Sequence, residues 1–160
     1  MAVFSTKKIA PCLWFDNRLE EAVNFYVSLF GGKILDTSRY GEGAPMPKGT
    51  VLTMTFALHD EQFMALNGGP HFKFNEAVSF MVNCKDQAEV DKYWNALTAD
   101  GGSESQCGWL KDKYGLSWQI VPEVMPRLLM HKDPEKAKRA MQAMMTMKKL
   151  DIAALEMAAA

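Results

Sequence analysis

Cysteine, histidine and net charge are all scarce in this 160-residue chain, and each shortage excludes a class of chemistry. The three cysteines, Cys12, Cys84 and Cys107, are odd in number and show no CxxC spacing, so they signal neither a disulfide framework nor a zinc knuckle. A reducing cytoplasm is the setting they suit. None of the three histidines falls on a predicted strand: His59 belongs to a polar turn, His71 to a loop and His131 to a helix end. A net charge of -1 leaves no electrostatic footprint for nucleic acid or anionic lipid. No apolar run approaches a membrane span, and the N-terminus lacks a long apolar stretch after its lysines, so neither membrane nor export is expected.

What is present is ordinary for a water-soluble domain, with 48% hydrophobic and 23% charged residues. A chain of this length buries roughly 70% of its unfolded surface, enough for a core without a covalent or metal staple. Residues 1–160 are therefore read as one domain holding two modules, 7–70 and 76–122, followed by a helical tail over 123–160.

In the first module the alternation over Lys7–Phe15 predicts a strand, with Leu13 and Phe15 on one face and Ala10, Cys12 and Trp14 on the other. Asn17-Arg18-Leu19-Glu20 has the form of a capping box with Asn17 as N-cap. Leu19, Ala22, Val23, Tyr26, Leu29 and Phe30 follow at helical spacing, and Gly31-Gly32 supplies a left-handed stop. Strands over Lys33–Tyr40, Thr50–Leu58 and Gln62–Asn67 come next, before Gly68-Gly69-Pro70 breaks the chain.

The second module repeats this plan. Ala77–Asn83 is a predicted strand, Asp86-Gln87-Ala88-Glu89 a second capping box, and Val90, Tyr93, Trp94 and Leu97 a helical stripe ended by Gly101-Gly102. The near-constant offset between the paired elements argues for an internal duplication. Glu104–Leu110 is read as a strand. Beyond it the turn Asp112-Lys113-Tyr114-Gly115 leads into an alternating strand with Leu116, Trp118 and Ile120 on one face and Ser117, Gln119 and Val121 on the other. In the tail, a short helix is expected over Val124–His131. Asp133-Pro134 opens a helix with Ala137, Ala140, Met141, Met144 and Met145 at core spacing, and Asp151 caps a last one. The methionine stripe is read as packing on the protein's own core or a partner subunit.

Several of these stretches resemble one family closely: Ile9–Asn17 (IAPCLWFDN), Ala22–Gly32 (AVNFYVSLFGG), Glu76–Asn83, Val90–Leu97 (VDKYWNAL), Asp112–Pro122 and Met147–Leu155 (MKKLDIAAL). They are similar to the PhnB-like proteins labelled "3-demethylubiquinone-9 3-methyltransferase", within the vicinal-oxygen-chelate superfamily of glyoxalase I, bleomycin-resistance proteins and extradiol dioxygenases. The resemblance implies an α+β fold of two βαβββ modules with curled mixed sheets around a cavity, extended here by the helical tail. It also implies a homodimer.

Metal-dependent members of that superfamily place His or Gln on the first strand, Glu on the fourth, His on the fifth and Glu on the eighth. Those positions fall here on Ala10, near Ala65, on Ala77 and on Gln119. A methyl group ligates nothing and an amide replaces a carboxylate poorly around a dication, so no metal or other cofactor is expected. The remaining lining is Cys12, Trp14, Ser79, Met81 and Gln119, roofed by Phe72 and Phe74 with His71 beside them. That mixture suits a small molecule. Gln119 either orients a ligand oxygen or bonds a neighbouring strand, and Cys12 lacks a nearby base to activate it. The preferred reading is a metal-free small-molecule-binding protein. The alternatives are a superfamily lyase, isomerase or dioxygenase with atypical metal ligands, and the methyltransferase of the label. Against the last, no Gly-x-Gly-x-Gly run exists and both Gly-Gly pairs follow helices.

Overall fold

Two copies of the same strand order carry the molecule. The computed structural model describes residues 5–160. The chain divides into two compact units, the first ending at Lys73 and the second running from Phe74 to Ala160.

The first unit contains β1 (Cys12–Phe15), α1 (Leu19–Phe30), β2 (Lys33–Arg39), β3 (Val51–Leu58) and β4 (Glu61–Asn67). Its sheet has the order β1-β4-β3-β2, with β1 parallel to β4 and the other pairs antiparallel. The helical spacing read from the sequence holds: Leu19, Ala22, Val23, Tyr26 and Phe30 are all buried. Gly31 ends α1 at φ 71°, where a side chain would be strained.

The start of this module departs from expectation twice. β1 is only four residues long instead of beginning at Lys7, since residues 6–9 bend and Ile9 stays exposed. Pro11 cannot donate to a ladder; its carbonyl accepts from the Met64 N–H at 2.9 Å just ahead of the strand. Nor does Asn17 cap α1. It sits at φ 60°, Arg18 takes the N-cap position, and Arg18 makes no side-chain cap bond. The cap comes from the far end of β4. The buried Asn67 accepts from the Leu19 N–H at 3.2 Å through Oδ1 and donates from Nδ2 to the Val51 carbonyl at 2.8 Å.

The second unit contains β5 (Ser79–Cys84), α2 (Gln87–Thr98), β6 (Ser103–Glu104), β7 (Trp109–Lys111) and β8 (Ser117–Pro122), then α3 (Met125–Leu129), α4 (Pro134–Met145) and α5 (Ile152–Ala159). Its sheet order, β5-β8-β7-β6, repeats the first one, again with the outer first strand parallel to the fourth. Here the local cap does form: Asp86 accepts from the Glu89 N–H at 2.9 Å. Val90, Tyr93, Trp94 and Leu97 are buried as the spacing predicts.

Two expectations change in this unit. The stretch Glu104–Leu110 is two short strands separated by a fold at Cys107 and Gly108, which sit at φ 57° and 84°. Their amides donate to the Met147 and Lys148 carbonyls at 2.8 and 2.7 Å, so the tail takes the place of a ladder partner. The tail builds its own core from Met125, Leu128, Ala140, Leu150, Leu155 and Ala159, with Met144 and Met147 packed against it. Met141 and Met145, from the same stripe, do not join this core and are exposed on the single chain. Of the two expected packings, the one on the chain's own core is the one they do not make. On α4 Ala140 is buried, with Ala143 and Met144 packed against the same core. Gln87 ties this tail to α2, donating to the Leu150 carbonyl at 3.1 Å and accepting from the Ile152 N–H at 2.9 Å.

Candidate functional site

The hairpin after β7 fixes the strand on which the candidate site depends. Asp112, almost fully buried, accepts from the Tyr114 and Leu116 amides through Oδ1 at 2.9 and 3.1 Å. Its Oδ2 accepts from the Trp118 indole at 2.9 Å. Trp118, Ile120 and Leu110 thereby face the interior with α2, and each is buried. Period-two alternation then sends Ser117, Gln119 and Val121 to the face away from α2.

Register extends that face across the sheet. Ser79, Ser117, Lys111 and Ser103 lie in one row, and Met81, Gln119 and Trp109 in the next. Gln119 donates from Nε2 to the Ser79 hydroxyl at 2.9 Å. On the Ser117 side of Gln119 is a polar cavity of about 270 Å³, lined by Glu76, Ser103, Glu104, Trp109, Lys111 and Ser117 among others. Lys111 bonds Glu76 at 2.7 Å, and that bond holds the Glu76 carboxyl below its ordinary range. On the other side is an apolar groove of about 490 Å³ between the sheet and α3, lined by Met81, Val121, Leu129 and Met130 among others. Met81 is 58% exposed there, high for a methionine in mid-strand.

The residues expected to line a cavity divide between the units. Ser79, Met81 and Gln119 share the face just described, and Phe74 is half-buried in the loop before them. Cys12, Trp14, His71 and Phe72 belong to the first unit. There Trp14 donates to the Gly69 carbonyl at 2.8 Å and meets Phe72 edge to face with ring centres 4.8 Å apart. Gly68 lies so close to the Trp14 indole that a Cβ would overlap the ring, so the Gly-Gly-Pro break is the seat of this tryptophan. His71 is exposed. Lys111, Glu76 and Ser117 were missed in the sequence reading. For Ser117 and Lys111 the signal was the parity that continues from Gln119 back through the hairpin; Glu76, in the turn before β5, had none.

The four superfamily ligand positions do not fit a divalent cation. Ala10 precedes β1 and Ala77 lies in the turn before β5. Ala65 is fully buried on the side of its strand shared with Phe63 and Asn67, so it faces α1. Gln119 donates from Nε2 to Ser79, and its remaining amide oxygen is neutral, a poor replacement for a carboxylate around a dication. Among the described residues no three His, Cys, Asp or Glu side chains gather as a metal site requires.

Cys12 and Cys84 are poor nucleophiles. Burial pushes the Cys12 thiol above its ordinary value. Burial, reinforced by Glu89, Asp86 and Glu123, pushes Cys84 up to about 12. A raised thiol pKa favours the neutral folded form, so the contribution of Cys84 to stability is complete below pH 9.0 and is lost as pH rises toward about 12. Urea unfolding across that window should show the wild type losing more stability than Cys84→Ala, and parallel curves would contradict the assignment.

Residues 7–121 match the family described as 3-demethylubiquinone-9 3-methyltransferase. The tail segment Met147–Leu155, counted above in the resemblance, lies outside that match. Among solved structures, the PhnB protein from Bacillus cereus, which bears the same methyltransferase description, is 36% identical with a TM-score of 0.67; the alignment covers 72% of this chain and 99% of that one. Protein PA1353 from Pseudomonas aeruginosa is 22% identical with a TM-score of 0.61, covering 74% and 98%. The fosfomycin resistance protein FosX from Mesorhizobium loti is 11% identical with a TM-score of 0.53, covering 74% and 92%, a likeness of fold alone. No curated protein sequence matches the chain.

Proposed function

Because this chain belongs to the 3-demethylubiquinone-9 3-methyltransferase-like (PhnB) family of the vicinal-oxygen-chelate superfamily, we propose that it binds a small, partly apolar molecule on the helix-free face of its second sheet. The observation that carries this reading is that one face of β8 runs from Ser117, which lines a polar cavity, past Gln119 to Val121, which lines an apolar groove. One molecule lying along that face would have both kinds of surface to bury. The donor set at the superfamily's ligand positions supports binding without a coordinated metal. Metal analysis of protein purified without chelator should find far less than one zinc, nickel, manganese or iron per chain. A near-stoichiometric metal would favour the enzymatic alternative.

Methyl transfer has no support from the glycines. Gly31 caps α1, and a Cβ on Gly32 would strike the Ala57 carbonyl. Both residues serve a helix-to-strand turn instead of a cofactor loop. Calorimetric titration with S-adenosylmethionine should give no binding heat, and saturable heat would revive the label.

A direct test of the binding face is Met81→Asp. Met81 is exposed, so stability should change by no more than about 0.5 kcal/mol. The charge should nonetheless reduce uptake of an apolar fluorescent dye about tenfold or more, and unchanged uptake would remove the groove from consideration. A cytoplasmic setting is supported by the three free cysteines. A homodimer is supported by the exposed tail methionines Met141, Met145 and Met157, and sedimentation analysis would decide it. Among the described residues no helix is long and apolar enough to cross a membrane.

A further inference from the structure

We propose, building on the binding face above, that Ser117 forms a head-group subsite for an uncharged hydroxyl or carbonyl oxygen of an amphipathic ligand whose apolar body lies along Met81, Val121 and Leu129. The Ser117 hydroxyl is buried and, among the described residues, has no hydrogen-bond partner. A buried hydroxyl left unpaired is unfavourable, so the arrangement calls for an oxygen or nitrogen delivered from the cavity that Ser117 lines.

The charges around that cavity decide what the incoming group is. Lys111 is already matched by Glu76 at 2.7 Å, and Glu104 by Lys148 at 3.6 Å. An anion would have to share Lys111 with the Glu76 carboxylate, and a cation would face the ammonium group. An uncharged oxygen meets Ser117 without disturbing either pair. Ser79, paired with Ser117 in register, adds a second donor, since its oxygen accepts from Gln119 and leaves its own proton to give. Ser117 and Val121 lie on the same strand face, four residues apart, which is about 13 Å at the usual strand rise. A medium-length chain with a polar end spans that distance.

Three probes with one chain and different heads test this: 1-octanol, octanoate and octylammonium, titrated against the full protein with backbone amide shifts recorded. Octanol should shift Ser117 and Lys111 together with Met81 and Val121. Ser117→Ala removes a single unpaired oxygen and keeps the fold; it should weaken octanol about three- to tenfold, the worth of one hydrogen bond. The charged probes should bind more weakly, with no response to Ser117→Ala. If octanol shifts Met81 and Val121 but Ser117→Ala leaves its affinity unchanged, the subsite is wrong while the binding face stands, and the hydroxyl is served by trapped water. If octanoate binds more tightly than octanol and loses that advantage in Lys111→Met, the uncharged class is wrong. If no probe shifts any residue of this face, the subsite and the proposed function both fall.

Discussion

Replacing Asp112 with alanine should cost the second unit about 4 kcal/mol and lower its Tm by roughly 10 °C or more. The carboxylate is 2% exposed and accepts from two turn amides and the Trp118 indole, among its partners. Bonds to a charged acceptor contribute about 1.5–3 kcal/mol each, and relief of the carboxylate's own desolvation offsets part of their loss. What remains is a large fraction of the 5–15 kcal/mol that holds a typical domain together. Asp112→Asn should fall between alanine and wild type. Its amide has one acceptor oxygen and cannot serve both the turn and the indole. Adding Trp118→Phe to Asp112→Asn removes the indole donor, so the double variant should lose less than the sum of the singles. Thermal unfolding followed by tryptophan fluorescence and circular dichroism measures all of this. Full additivity would mean that Asp112 acts through the turn alone. Because β8 carries Ser117 and Gln119, the alanine variant should also lose small-molecule binding at temperatures where wild type retains it.

The second large effect is expected at Asn67. Substitution by alanine leaves the Leu19 N–H and the Val51 carbonyl buried without their side-chain partner, a loss of about 2–3 kcal/mol. The specific readout is amide exchange: Leu19 should lose protection together with the first turn of α1, while α2, capped by its own Asp86, should not change. Asn17→Ala, by contrast, removes no helix cap. A fall in α1 protection in Asn17→Ala matching that in Asn67→Ala would overturn the assignment.

These two residues also show where reading the chain ends. Both helices were legible because apolar spacing fixes a buried stripe whatever lies beneath it; Leu19–Phe30 appears with the boundaries the pattern predicts. The turn before β8 was legible for the same local reason, since Asp and Gly each favour one backbone geometry. The alternation of Leu116, Trp118 and Ile120 against Ser117 and Gln119 then assigned the faces correctly. The break at Cys107 was not legible, because the groups that satisfy it lie forty residues away at Met147 and Lys148. The same holds for the cap at Asn67, which reaches α1 from the end of β4.

The sequence alone determined the repeated module, its two helices and the side of β8 that turns from α2, because these depend on residue identity and short-range periodicity. Tertiary structure decided which carboxamide caps α1, how the tail substitutes for a strand neighbour, and that Ser117 is buried beside a matched Lys111–Glu76 pair. Hydrogen bonds and ion pairs between distant residues depend on distances that appear only once the sheet has formed, and no local pattern encodes them.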